Sequence, residues 1–161
     1  MELYVFRHGI AEISGPGQLD STRALTDEGR TKVAEVVKTA RRAGFQPSLI
    51  VSSPYLRAVQ TAEIAANELK YHGNVVRTES LVPHNSPEGV WTELRDYREE
   101  SAILLAGHEP LLSRLVAHLL GAPALRVEMK KAAMVRIDVE TLGTVPRGTL
   151  RWMITPKLAS G

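Results

Sequence analysis

Four short apolar runs, each followed by a segment with helical spacing, constrain this chain more than any other feature. The runs are Leu3–Phe6, Leu49–Val51, Val75–Thr78 and Ala102–Ala106. Strands that alternate with helices predict a mostly parallel sheet with helices on both of its faces. Ala102–Ala106 is the most continuous run, so we expect it to be a central strand buried on both sides.

Capping residues and prolines mark where the helices should begin. Thr26 is a suitable N-cap for a helix over about 27–43, which should end near Gly44. A serine followed by proline is typical of a helix start, with the serine as N-cap and the proline at the first helical position. On this reasoning two later helices begin at Pro54 and Pro87 and run to about 69 and to about 100, and Glu109-Pro110 opens a further helix that ends at Gly121.

The last forty residues have a different pattern from the rest of the chain. Two strand-like segments, 133–139 and 149–155, are joined by a stretch with glycine and proline, which predicts an antiparallel pair at the sheet edge. No repeat, low-complexity tract or linker interrupts the pattern. The sequence therefore predicts one domain over residues 1–161, an α/β protein folded as a three-layer α/β/α sandwich with a mostly parallel sheet and an antiparallel edge.

Composition narrows the class of protein. Among 161 residues, 43% are hydrophobic and 24% are charged, which is ordinary for a globular protein. The net charge of +2 is scattered along the chain, so we expect no nucleic acid and no membrane as partner. The absence of cysteine excludes disulfides and thiolate chemistry and, with no leader-like segment, favours a cytoplasmic protein. A monomer and a weak dimer both remain open.

Basic side chains follow three of the predicted strands. Arg7 and His8 come directly after the first strand, Arg57 stands early in the helix after the second, and His108 follows the fourth. Because the carboxyl ends of parallel strands meet at one edge of a sheet, these four side chains are predicted to share a pocket. Two guanidinium groups and two imidazoles suit a dianionic tetrahedral group such as phosphate, with no metal and no other cofactor.

The residue types also indicate separate roles. A neutral imidazole can attack phosphorus, so His8 is the candidate nucleophile, forming a phosphohistidine that water then hydrolyses. The arginines would stabilise the transferring group, and a protonated His108 would add a charge-assisted hydrogen bond. Gly9 permits a close approach to the backbone and is a candidate substrate contact. Glu109 could orient an imidazole or simply begin the last helix.

Three motifs, each at a strand-to-helix junction, carry a family resemblance. They are Arg7-His8-Gly9, Ser52-Ser53-Pro54 with Arg57-Ala58 and Gln60-Thr61-Ala62, and Gly107-His108-Glu109-Pro110. In this order and spacing they resemble the histidine phosphatase superfamily, also called the phosphoglycerate mutase-like fold. The resemblance implies that His8 is the phosphorylated nucleophile, that Arg7, Arg57 and His108 form the phosphate pocket, and that Arg23 faces the same site.

Within that superfamily the chain is similar to the SixA branch of phosphohistidine phosphatases. It shares the short length, lacks an inserted helical cap domain, and has a similar C-terminal segment, 152–156. Mutase and phosphomonoesterase branches usually place an acidic proton donor just after the third strand, where this chain has Leu81-Val82-Pro83-His84-Asn85. The donor is left open among Glu79, His84, Glu88 and none, and His84 is also a candidate substrate contact.

The missing acid favours one leaving group over another. A phosphoramidate bond is labile and its nitrogen can be protonated on the far side, whereas an alkoxide leaving group depends more on a donor. We therefore expect a hydrolase of signal transduction that removes phosphate from phosphohistidine in a phosphotransfer protein. The alternatives are a phosphatase or mutase acting on a small phosphorylated metabolite, and a non-catalytic phosphate-binding module. The Lys130–Lys131 pair is interpreted as solvated surface.

Overall fold

The structure, a computed structural model, describes all residues from 1 to 161. Its strands are β1 Glu2–Arg7, β2 Leu49–Ser52, β3 Val75–Arg77, β4 Ala102–Gly107, β5 Met134–Val139 and β6 Gly148–Ile154. Its helices are α1 Asp27–Arg42, α2 Leu56–Glu68, α3 Pro87–Leu94, α4 Leu111–Leu119 and α5 Pro156–Ala159. Short 3₁₀ turns lie at Asp20–Thr22, Glu79–Leu81 and Arg95–Tyr97.

The six strands form one sheet in the order β3-β2-β4-β1-β5-β6. The first four strands of that order are mutually parallel, and β5 and β6 are antiparallel to their neighbours. All six residues of β4 are buried, as expected for a strand covered on both faces. The predicted α/β sandwich with an antiparallel edge is confirmed.

Alternating side chains of the strands supply two separate cores. In β1, Leu3 and Val5 face a core built with α3 and α4, whereas Tyr4 and Phe6 face a core built with α1 and α2. This alternation follows from the two-residue period of a strand and gives the sheet a helical layer on each side. None of the helices combines the length and apolar character that crossing a bilayer requires.

The helix starts at Thr26 and Ser86 are confirmed. Each side chain accepts a hydrogen bond from the N–H three residues later, at 2.9 Å and 3.1 Å, and Pro87 is the first residue of its helix. The predicted start of α2 at Pro54 is wrong, because the helix begins at Leu56. The Ser53 N–H still donates to the Ala106 carbonyl at 2.9 Å, so the chain remains attached to the sheet for one more residue.

Two further boundaries differ from the expected ones. The α-helix α3 ends at Leu94 instead of near 100, and the chain tightens into the 3₁₀ turn Arg95–Tyr97. There the Trp91 indole N–H donates to the Gly143 carbonyl at 3.0 Å, and the Arg95 Nε–H donates to the Leu142 carbonyl at 3.2 Å. The end of this helix is therefore held by the β5–β6 connection. The helix α4 begins one residue late, at Leu111.

Candidate active site

The register of the central strands brings the predicted site residues together. Arg7, the last residue of β1, pairs with Gly107, the last residue of β4. The His8 N–H then donates to the Gly107 carbonyl at 3.0 Å. The chain therefore leaves both strands side by side, and the rings of His8 and His108 lie 5.1 Å apart between centroids. Backbone pairing in the sheet thus places the two histidines next to each other.

Two hydrogen bonds define the tautomer of His8. Its Nδ1–H donates to the Gly9 carbonyl at 2.7 Å, and its Nε2 accepts from the Nε–H of Arg57 at 3.3 Å. An arginine cannot accept, so Nε2 carries the lone pair. The imidazole is therefore held with its unprotonated nitrogen beside a guanidinium group.

The environment keeps His8 neutral. Burial lowers its pKa to about 4; Arg57, Arg7 and Lys131 act in the same direction, while the hydrogen bond to Gly9 opposes them. Only 6% of the residue is exposed. Near pH 7 the ring is thus available as a nucleophile instead of being protonated.

Arg57 is the most heavily bonded member of the site. Besides its contact with His8, its Nη1 donates to the Asp20 carbonyl at 2.8 Å and its Nη2 donates to Asp20 Oδ2 at 3.0 Å. Its side chain is 5% exposed. The loop that precedes α1 therefore folds over α2 and orients this guanidinium group.

Asp20 also joins Arg23 to the site. The Arg23 Nε–H donates to Asp20 Oδ1 at 2.8 Å, so one carboxylate bridges both arginines. Burial alone would raise the pKa of Asp20, but hydrogen bonds from Arg57 and Arg23 hold that pKa below its usual range. Sequence reasoning missed Asp20, because no periodic pattern in its loop connects it with Arg57.

Arg7 reaches the site with unused hydrogen-bonding capacity. Its Nη1 donates to the Met129 carbonyl at 2.7 Å, but its Nε is buried and has no partner. Burial lowers its pKa. A buried N–H without a protein acceptor is costly, and an anion could supply that acceptor.

His108 is neutral in this structure. Burial, reinforced by His8 and Arg57, lowers its pKa to about 3, so near pH 7 the ring does not carry the proton on which a charge-assisted hydrogen bond would depend. Its Nε2 lies 2.8 Å from the Ser53 hydroxyl, whereas its Nδ1 is buried without a partner. A phosphate dianion beside the ring would favour its protonated form. We therefore expect His108 to donate a charge-assisted hydrogen bond only when phosphate is bound.

Position 9 has to be glycine because helix α1 packs directly against it. A Cβ at Gly9 would lie 2.7 Å from Val33 Cγ2 and 3.0 Å from the Gly29 carbonyl oxygen. Its N–H donates to the Thr61 hydroxyl at 3.2 Å. These contacts give Gly9 a packing role beside His8, and its contact with substrate stays a prediction.

The candidate proton donors are surface residues without a contact to the site histidines or Arg57. Glu79, His84 and Glu88 are all exposed. The loop that carries His84 approaches β4 at Leu81, whose carbonyl oxygen would be 3.3 Å from a Cβ at Gly107. Any contact of His84 with substrate stays a prediction. Glu109 accepts a hydrogen bond from the Ser113 N–H at 2.8 Å, which matches the helix-start alternative.

The site has the composition of an anion site. Its polar groups are guanidinium N–H donors and imidazole nitrogens, and no group of three or more metal-ligating side chains is placed to hold a metal ion. Two of its buried nitrogens lack partners, on Arg7 and His108. The arrangement can bind a phosphoryl group and present a neutral imidazole to it.

Sequence comparison agrees with this chemistry. A model of the histidine phosphatase superfamily (branch 1) matches residues 3–82. An uncharacterised protein of Picosynechococcus sp. is 36% identical, over 84% of this chain and 83% of its own length. The phosphohistidine phosphatase SixA of Escherichia coli is 26% identical, over 97% of this chain and 94% of its own length. The mitochondrial serine/threonine-protein phosphatase Pgam5 of Drosophila mojavensis is 25% identical over 89% of this chain, which spans 60% of it.

Structural comparison gives the same fold. The solved structure of the protein histidine phosphatase SixA complexed with tungstate superposes with a TM-score of 0.87, at 24% identity and 98% coverage of each chain. Fold and site together define a phosphatase-type hydrolase. The chain belongs to the histidine phosphatase superfamily and, in length and fold, is of the SixA type.

Proposed function

We propose that this protein is a phosphohistidine phosphatase that works through a covalent intermediate on His8. The observation that carries the proposal is the state of that side chain. Its Nδ1–H is committed to the Gly9 carbonyl, and its Nε2 lone pair lies against the Arg57 guanidinium in a buried, neutral ring. A nucleophile and the positive charge that would hold its target are thus in contact.

The steps balance without an added reactant except water. Nε2 of His8 attacks phosphorus, the P–N bond of the substrate phosphohistidine breaks, and the departing imidazole takes a proton from solvent. Arg7 and Arg57 would stabilise the charge on the equatorial oxygens during the transfer. Water then attacks the phosphorylated His8, releasing inorganic phosphate and restoring the neutral ring.

The ionisation of Asp20 makes it a positioning group. Asp20 is the carboxylate that contacts Arg57, and two arginines keep it ionised. A general acid for an alkoxide leaving group must instead hold a proton near pH 7. Asp20 is thus suited to orient the arginines and unsuited to donate a proton.

The test compares substrates and traps the intermediate. A phosphohistidine-containing phosphotransfer protein should be dephosphorylated with a kcat/KM roughly a hundredfold or more above that of sugar phosphates and phosphoserine. Rapid quenching with labelled substrate should give an acid-labile phosphoenzyme that His8→Ala cannot form. Equal or faster hydrolysis of ordinary phosphomonoesters would instead identify the small-molecule phosphatase.

A further inference from the structure

A second basic surface adjoins the catalytic pocket. Four lysines, from three separate parts of the chain, line an open groove of about 690 Å³ together with Arg7. We name this surface the lysine groove, and its lysines are Lys32, Lys130, Lys131 and Lys157. They come from α1, from the segment before β5, and from α5.

The lysine groove carries a net positive charge that internal ion pairs do not cancel. Lys32 pairs with Glu28 at 2.9 Å and Lys130 with Glu128 at 2.8 Å. Lys131 and Lys157 are exposed and lie beyond ion-pair distance of every carboxylate. Clustered like charges repel one another in the free protein, and a complementary acidic surface would relieve that repulsion.

The groove shares Arg7 with the predicted phosphate site. Arg7 lines the groove and immediately precedes His8, and the charge of Lys131 reaches His8 strongly enough to help lower its pKa. Ile10 is the single hydrophobic residue among those that line the groove. Its charges extend past the point where one phosphoryl group would be held.

We infer that the lysine groove docks an acidic surface of the protein that carries the phosphohistidine, next to the phosphorylated side chain. The inference rests on the proposed function and adds the recognition element for its substrate. It also gives Lys130 and Lys131 a role beyond the solvated surface that the sequence indicated. Arg7 and Arg57 would bind the phosphoryl group, whereas the lysines would select the polypeptide around it.

The test removes two charges that lie away from His8. The double variant Lys130→Gln/Lys157→Gln should show a KM about fivefold to tenfold higher for a phosphohistidine-containing phosphotransfer protein with an acidic surface. Its kcat should change little. Turnover of phosphoimidazole, which has no polypeptide, should be unchanged. Lys38→Gln with Arg42→Gln is the matched control, because it removes the same charge from the last turns of α1, at the opposite end of the helix.

The outcomes separate this inference from the proposed function. An unchanged KM for the phosphoprotein, or an equal rise in the control variant or with phosphoimidazole, overturns docking in the groove while the phosphatase activity stands. Failure of the unsubstituted protein to dephosphorylate any phosphohistidine protein, with good turnover of phosphomonoesters, overturns both. For the unsubstituted protein, KM should also rise more steeply with salt than it does for the groove variant.

Discussion

Acid should destabilise this protein because two buried imidazoles stay neutral only in the folded chain. Burial is the main cause that lowers the pKa of His8 to about 4 and that of His108 to about 3. In the unfolded chain both should titrate near the ordinary value of about 6.5. The unfolded chain therefore binds protons that the folded chain does not bind. The contribution of the two neutral histidines to the free energy of unfolding is fully present above about pH 6.5 and is lost as the pH falls toward 4.

The slope of this loss follows from the two shifts. At pH 5 a free imidazole is about 97% protonated, whereas the folded-state values leave His8 about 9% and His108 about 1% protonated. The unfolded chain then holds about 1.8 more protons at these two residues. That difference corresponds to about 2.5 kcal/mol lost per pH unit, a large part of the 5–15 kcal/mol that stabilises a typical domain.

Urea unfolding at pH 6.0, 5.5, 5.0 and 4.5 would measure this slope. His108→Asn should reduce the slope near pH 5 by about 1.3 kcal/mol per pH unit, and His8→Asn by a similar amount, because each removes one buried titrating ring. The carboxylates contribute equally to all variants and cancel in the differences. His72→Asn, at an exposed turn, is the control and should keep the original slope. The reasoning fails if both buried-site variants unfold with the slope of the unsubstituted protein.

Three substitutions test the site more directly. His8→Ala should abolish the phosphoenzyme and lower turnover at least about a thousandfold, measured by rapid-quench labelling, since no other side chain supplies the nucleophile. Arg57→Lys should lower kcat/KM roughly a hundredfold. The reason is that one lysine amine cannot replace the three hydrogen bonds that Arg57 makes, one to His8 and two to Asp20. Near-normal kinetics of this variant would contradict a catalytic role of Arg57. Gly9→Ala should cost about 1–3 kcal/mol of unfolding free energy through its clash with α1, whereas Gly15→Ala, where a Cβ meets nothing closer than 3.9 Å, should be close to neutral.

Elements with strong periodicity were predictable from the sequence alone. The apolar runs of β1 and β4 and the capped helix α1 lie where their patterns place them, because burial and capping are local signals. The start of α2 was not predictable, since the Ser53 N–H is used by the sheet through Ala106, a partner 53 residues away. A Ser-Pro pair is a local sequence signal and contains no information about a hydrogen bond to a residue so distant in the sequence.

Some features of the site were likewise predictable from the sequence, and others were not. Topology placed Arg7, His8, Arg57 and His108 at one edge of the sheet, and the structure brings them together there. Asp20 was missed because its contact with Arg57 spans 37 residues and its loop has no periodic pattern. The tautomer of His8 and the neutrality of His108 also depend on tertiary burial, which no local motif encodes.

The pairing of β1 with β4 separates the molecule into regions of unequal local stability. Both strands lie inside the sheet, hydrogen-bonded on each side, so their amide hydrogens should exchange only when the whole sheet opens. The loop before α1 and the four lysines of the lysine groove lie outside that ladder, where local opening should cost less free energy. Mutations in those outer segments can therefore alter partner choice over evolutionary time while the two histidines stay fixed by the most slowly exchanging part of the chain.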